Sequence, residues 1–109
     1  MAKIITINYE GKEYTLEYTK KSIEVMETAG FEIQNIRSKP MTSFPLLFAG
    51  AFLAHHKGLP QKEIDKIVSK LPNKEEFLDR LAEMYNEQVN ELFDEPSEAE
   101  GNATWGANW

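Results

Sequence analysis

Residues 43–56, SFPLLFAGAFLAHH, form the most apolar run in an otherwise charged chain. An N-cap at Thr42 or Ser43 predicts one helix over about 43–57. Pro45 would then lie in the first turn, where no intrahelical donor is lost. Apolar side chains surround nearly the whole circumference, which is typical of a helix buried inside a domain. A strip of small residues would let another element approach closely: Ala49, Gly50, Ala51 and Ala54.

The N-terminal part of the chain, residues 4–18, alternates with a period of two and predicts a β-hairpin. Glu10-Gly11 lies between the two strands, and glycine accepts the positive φ that a tight hairpin turn needs. One face of the hairpin would be apolar, carrying Ile5, Ile7, Tyr9, Tyr14, Leu16 and Tyr18. An isolated hairpin is only marginally stable, so we expect the central helix to cover this face. The hairpin edges would remain available for pairing with another chain.

Helical spacing of apolar residues predicts three further helices, over about 20–29, 61–71 and 74–94. We expect Gly30 to end the first of them, with Phe31 folding back onto the helix. Asn73 would cap the last helix, with Glu76 completing a capping box. The segment 31–36 fits either a loop or a short third strand.

Together these elements predict one α+β domain over residues 1–95, in which an N-terminal β-hairpin packs on about four helices. A flexible acidic tail would follow over 96–109. The 109-residue chain has no cysteine and a formal charge of −6, which opposes binding to nucleic-acid phosphates. The N-terminus has no signal-peptide h-region, and the apolar run is shorter than the ~20 residues that span a bilayer. We therefore expect a cytoplasmic protein with neither a nucleic-acid nor a membrane partner.

No pattern in the sequence predicts catalysis. His55 and His56 are adjacent, so on a helix they would point about 100° apart and could not chelate one metal ion. The favourable charge at a surface helix terminus explains the pair more simply. The carboxylates lie on an exposed helix face, and there is neither a phosphate-binding loop nor a nucleophile motif. We expect a protein that is not an enzyme and uses no metal or cofactor.

Two further features could form surfaces for partners. Trp105 and Trp109 lie in the acidic, Gly/Asn-rich C-terminal segment, where exposed indoles are unexpected. They would either dock on a partner as a tethered motif or fold back onto their own domain. A stripe of lysines on the outer face of the third helix would be solvated or would face an acidic helix of a neighbouring subunit: Lys62, Lys66 and Lys70.

Five segments of the chain carry a resemblance to a known family: GKEYTLEYTKKSIEVMETAGF, KPMT, PLLFAGAF, LPNKEEFLDRLAEMYNE and GNATWGANW. In these segments the chain resembles the small tail assembly chaperones of siphophages that infect Gram-positive bacteria. The resemblance implies a protein of the bacterial host cytoplasm that keeps the tape measure protein soluble during tail tube assembly. Such a protein is absent from the mature virion. In many relatives a ribosomal frameshift also yields a minor, extended product that recruits tail tube protein.

The resemblance also suggests which side chains contact a partner. Tape measure proteins are mostly long helices, so we expect helix-in-groove recognition by a homo-oligomer that gains from avidity. The candidate partner-binding residues are Phe44, Leu47, Phe48, Phe52, Trp105 and Trp109. Two alternatives remain: a structural head–tail connector or minor tail protein, and a small acidic regulatory protein that binds a host protein.

Overall fold

A computed structural model describes residues 3–93 and 105–108, and its fold is α+β as predicted. An antiparallel hairpin precedes four helices. The elements are β1 (Ile5–Tyr9), β2 (Lys12–Leu16), α1 (Lys20–Thr28), α2 (Pro40–Leu53), α3 (Gln61–Ser69) and α4 (Lys74–Asn90). The segment 31–36, for which the sequence predicts a loop or a short third strand, contains a 3-10 turn over Ile33–Asn35. A second 3-10 turn follows α4 at Glu91–Phe93. Most of the predicted tail, 96–109, lies outside the described residues.

The hairpin has the predicted turn and the predicted apolar face. Glu10 has a φ of 51° and Gly11 a φ of 77°, which is the pair of positive values that a two-residue hairpin loop of type I′ requires. Ile7 lies opposite Tyr14 in the strand register, and both side chains are buried. The face that the period of two assigns to the core therefore does pack against the helices.

Local signals also set the ends of α1. The Ser22 N–H donates to Thr19 Oγ1 at 3.1 Å, and the Thr19 N–H donates to Ser22 Oγ at 2.8 Å, which forms a capping box. At the other end Gly30 has a φ of 98°, and the Phe31 N–H donates to the Met26 carbonyl at 2.9 Å. This arrangement confirms the expected C-terminal turn and buries Phe31.

The predicted bounds of α2 are wrong at both ends. The helix begins at Pro40 with Lys39 as its N-cap, because proline at the first helical position is already in helical φ and loses no hydrogen bond. Pro45 consequently lies inside the helix, where it cannot donate to the Met41 carbonyl four residues earlier. The helix ends at Leu53 and not near residue 57. Near this end, the Ala51 carbonyl accepts a hydrogen bond from the Glu17 N–H at 3.0 Å.

The small-residue strip of α2 brings α1 close, as predicted. A Cβ on Gly50 would lie 2.6 Å from Met26 Cγ, a distance at which atoms overlap. On the hairpin side, the buried Tyr18 Oη donates to the Leu47 carbonyl at 2.7 Å. These contacts fix the rotation of α2 about its axis.

The predicted cap of α4 is absent. Asn73 has a left-handed backbone, with φ 52° and ψ 48°, and its side chain makes no capping hydrogen bond. A capping side chain is held by extended backbone at the N-cap, so the left-handed conformation explains why the capping box with Glu76 does not form. Within residues 3–93 and 105–108, no helix is long and apolar enough to cross a membrane.

The core joins the hairpin to the four helices. Its most deeply buried large side chains are Leu16 from β2, Leu47 and Phe52 from α2, Ile67 from α3 and Leu81 from α4. Met26 extends this cluster from α1. The central apolar run is therefore mainly a core element, as the sequence indicates.

Candidate functional site

One face of α2 is not covered by the core and opens as a groove between α2, α3 and the first half of α4. We call it the α2–α4 groove. Its volume is about 480 Å³, within the ~300–1,000 Å³ range of ligand pockets. Its apolar lining residues are Pro40, Met41, Phe44, Pro45, Phe48, Val68, Phe77 and Leu78. The polar residues Asp65, Ser69 and Lys74 stand among the other lining residues.

The groove follows from the helical spacing within α2. Met41, Phe44, Pro45 and Phe48 are spaced i, i+3, i+4 and i+7, so they share one face of the helix. A second face carries the buried Leu47. Because α2 is apolar around its circumference, one of its faces packs in the core and another forms an apolar surface. The helices α3 and α4 lie beside this surface but do not cover it.

Aromatic rings form a continuous row in the groove. The ring centroids of Phe44 and Phe48 are 6.2 Å apart, and those of Phe48 and Phe77 are also 6.2 Å apart. The row therefore crosses from α2 to α4. Met41 is 87% exposed, so a flexible thioether side chain stands at the open end of the row.

Hydrogen bonds within the chain hold the polar side chains of the groove. Gln61 Nε2 donates both to the Pro45 carbonyl at 3.1 Å and to Asp65 Oδ1 at 2.9 Å, which links α3 to α2. Lys74 Nζ donates to the Leu71 carbonyl at 2.7 Å. The remaining lining is almost wholly apolar, and this suits the groove to an apolar side chain of a protein partner.

The six predicted partner-binding residues divide into four groups. Phe44 and Phe48 line the groove. Leu47 and Phe52 are fully buried, so the structure corrects their assignment: a partner could reach neither without unfolding the domain. Trp105 is 88% exposed. Trp109 lies outside the described residues.

Sequence reasoning missed Met41 and Phe77 as groove residues. The missed signal was Pro40. A helix that starts at Pro40 includes Met41 at the position three residues before Phe44, and the groove-facing spacing is then complete.

His55 and His56 tie the C-terminal end of α2 to β2 and do not simply end a surface helix. His55 Nε2 lies 2.7 Å from Glu17 Oε1, and the Thr15 N–H donates to His56 Nε2 at 2.9 Å. Burial lowers the pKa of His56, and the positive charges of His55 and Lys12 lower it further. The described part of the chain contains no cluster of three or more His, Cys, Asp or Glu side chains that could hold a metal ion.

Comparison with known proteins identifies a family for the chain. No curated protein and no solved structure matches the chain. The matching family model spans residues 1–109 and is described as a domain of unknown function, DUF5055. The chain belongs to the DUF5055 family.

Proposed function

We propose that the protein is a phage tail assembly chaperone that binds apolar helical segments of the tape measure protein in the α2–α4 groove. Binding would keep the tape measure protein soluble in the host cytoplasm while tail tube subunits polymerise around it. The protein would act by binding alone, without catalysis, and would be absent from the mature virion. A frameshift-extended form would add contacts to the tail tube protein.

The observation that carries this proposal is the coincidence of the groove with segments of the resemblance. KPMT contributes Pro40 and Met41, and PLLFAGAF contributes Pro45 and Phe48. The segment that begins LPNKEEFL contributes Lys74, Phe77 and Leu78. Three of the five segments that resemble tail assembly chaperones therefore meet on one open apolar surface.

The chemistry of the groove suits a helical client. An amphipathic helix presents apolar side chains at i, i+3 or i+4 and i+7, and such side chains could enter the row of Phe44, Phe48 and Phe77. Met41 can adapt to different apolar shapes because its side chain is unbranched and polarisable. A chaperone that binds several segments of a long client needs this tolerance more than it needs precise shape complementarity.

The overall charge and the expected self-association fit the same role. The formal charge of −6 would keep a complex with exposed apolar client segments from aggregating. A homo-oligomer would bind several segments of one client at once and would gain affinity without new kinds of contact.

Co-expression with the tape measure protein of the same phage, followed by size-exclusion chromatography, tests the proposal. We expect the tape measure protein to be insoluble alone and to co-elute with the chain when both are present. Met41→Asp should abolish co-elution, because it places a charge at the open end of the groove. Leu92→Asp is the matched control, since Leu92 is 62% exposed and does not line the groove.

Two results would contradict the proposal. A tape measure protein that stays insoluble while the chain elutes unbound would remove the proposed client. Detection of the chain in purified, intact virions by mass spectrometry would indicate a structural head–tail connector or minor tail protein.

A further inference from the structure

The two edges of the hairpin present backbone groups that β1 and β2 do not use between themselves. The strand register pairs Tyr9 with Lys12 across a two-residue turn, and such a pair exchanges both of its hydrogen bonds. Hydrogen-bonded and non-hydrogen-bonded pairs then alternate along the hairpin. The backbone N–H and C=O groups of Thr6 and Asn8 in β1, and of Thr15 in β2, therefore point away from the hairpin.

The chain itself covers the β2 edge. The Thr15 N–H donates to His56 Nε2 at 2.9 Å, and the Glu17 N–H donates to the Ala51 carbonyl at 3.0 Å. Both acceptors belong to the end of α2 or to the residues just after it. No further strand can pair with β2 while these two bonds are in place. The sequence predicts two open edges, and the structure closes this one.

The β1 edge is open over the described part of the chain. Among residues 3–93 and 105–108, no hydrogen bond from outside the hairpin reaches the backbone of Thr6 or Asn8, and both residues are exposed. Ile4, the preceding outward-facing residue, is 56% exposed. The strand ITINY also lacks the usual protection of an edge, because it has no charged residue, no proline and no bulge.

We propose that β1 pairs with the β1 strand of a second copy of the chain, antiparallel and centred on Thr6. In this register Thr6 lies opposite Thr6 of the second copy, and Ile4 lies opposite Asn8. All three outward-facing residues then form hydrogen-bonded pairs at once. Sliding the strands by two residues in either direction would move Ile4 or Asn8 beyond the outward-facing residues of the second copy. The product is one four-stranded sheet in the order β2-β1-β1-β2.

Charge favours this strand as the place where two copies meet. Each copy carries a formal charge of −6, so two copies repel each other over most of their surfaces. The charged residues that flank β1 in sequence are Lys3 and Glu10, beyond the three paired residues. Lys3 is already held by Glu83 and Glu87 of its own α4, at 2.6 Å and 2.9 Å. The paired residues therefore meet without a charge on either strand.

The side chains of β1 suit a second copy of the same strand. On the outer face Thr6 meets Thr6, and facing threonines form a favourable cross-strand pair. On the face toward the helices Ile5 meets Ile7 of the second copy, and both side chains are β-branched. A two-fold axis perpendicular to the sheet relates the two copies. Both helical layers then lie on the same side of the sheet.

Sedimentation velocity of the full-length chain without client tests the proposal. A single strand pair is a small interface, so the measurement covers about 10 μM to about 1 mM protein. We expect the mass to rise from one chain to two. Thr6→Pro should abolish the rise, because it removes an N–H that bonds nothing within its own hairpin. Thr6→Val keeps this N–H and should dimerise like the original chain.

Charged variants test the register and the identity of the second strand. Thr6→Lys and Thr6→Asp each place like charges opposite each other at the two-fold axis, so each should weaken the dimer severalfold. Mixing the two variants should restore dimerisation, because lysine then faces aspartate. Thr15→Lys is the matched control, since Thr15 lies opposite Thr6 within the hairpin and outside the proposed contact. It should dimerise like the original chain.

Three results would overturn the proposal. A mass of one chain up to about 1 mM would mean that copies do not pair through β1. Equal dimerisation of Thr6→Pro and Thr6→Val would place the contact on another surface. Weakening by both charged variants that mixing does not relieve would show that position 6 does not face itself. If circular dichroism shows that Thr6→Pro unfolds the hairpin, the charged variants decide, because their side chains point to solvent.

Dimerisation does not depend on the identity of the client, whereas its consequence rests on the proposed function. Each dimer would carry two α2–α4 grooves and could bind two segments of one tape measure protein at once. Thr6→Pro should then lower the fraction of tape measure protein that co-elutes, although it leaves the groove unchanged. The two ideas fail separately. Sedimentation without client decides the dimer, and co-expression of the original chain decides the chaperone function.

Discussion

Gly50 determines how closely α2 approaches α1. A Cβ at this position would overlap the side chain of Met26, which is buried and has little room to move. We expect Gly50→Ala to lower the free energy of unfolding by about 1–3 kcal/mol, the usual cost of overpacking a core. Urea denaturation of the purified variant measures this change.

The Met26→Ala background is the control for Gly50→Ala. Without the methionine side chain the added methyl group meets free space, so alanine should become neutral or stabilising by up to ~1 kcal/mol through its higher helix propensity. Equal destabilisation by Gly50→Ala in both backgrounds would show that the contact with Met26 does not limit the approach of the two helices.

Neighbouring residues of one helix have opposite roles. Leu47 is fully buried, whereas Phe48 lies on the groove face and is only partly covered. Composition could not separate them, because both are large and apolar. What separates them is the rotation of α2, which the Gly50 contact with Met26 and the hydrogen bond from Tyr18 to the Leu47 carbonyl fix through elements distant in sequence.

At the scale of elements, the sequence predicted correctly those features that depend only on neighbouring residues. The hairpin turn at Glu10-Gly11, the cap of α1 at Thr19 and the turn at Gly30 all follow from neighbouring residues. The start of α2 was mispredicted because Pro40 and Pro45 are both acceptable in a first helical turn. The left-handed Asn73 was missed because asparagine is also a favoured N-cap in extended conformation.

His56, three residues after the last residue of α2, is the group whose protonation should make stability depend on pH. His56 accepts a hydrogen bond from the Thr15 N–H, which only the neutral imidazole can do. Its pKa is lowered in the folded state, first by burial and then by the charges of His55 and Lys12. The folded protein therefore binds fewer protons than the unfolded chain, and stability rises with pH.

We expect the contribution of His56 to be fully present above its unfolded pKa of about 6.5 and to be lost as the pH falls through the lower folded pKa. The measurement is the unfolding free energy at pH values from about 7.5 down to 5, compared with that of His56→Gln. Glutamine keeps an acceptor for the Thr15 N–H but does not titrate. A constant difference across this range would contradict the prediction.

At the scale of the whole molecule, the α+β class follows from two periods read along the chain, two residues in the hairpin and about 3.6 in the helices. The groove could not be predicted in this way. It exists because α3 and α4 border α2 without covering Met41, Phe44 and Phe48, and that arrangement depends on how three helices pack. Periodicity identifies an apolar face, but only the tertiary structure shows whether another element covers it.

The distribution of the core predicts how the domain unfolds. Leu16 of the hairpin, Met26 of α1, Leu47 of α2, Ile67 of α3 and Leu81 of α4 belong to one buried cluster. Loss of any element would expose the apolar faces of the others, and the hairpin alone is too small to persist. We therefore expect hairpin and helices to unfold in one cooperative transition in urea, with a slope of about 1–3 kcal/mol per molar.

Two optical signals test this cooperativity because they report different parts of the molecule. Far-ultraviolet circular dichroism follows the helices. The near-ultraviolet signal of the buried tyrosines follows side-chain packing, to which the hairpin side contributes Tyr14 and Tyr18 and α4 contributes Tyr85. The two curves should superimpose, and amides of β1 and β2 should exchange with solvent at the rate of global unfolding. Earlier loss of the tyrosine signal, or faster exchange of the strand amides, would mean that the hairpin opens independently. In that case its edges would become available for pairing with other chains before the helical part of the domain is lost.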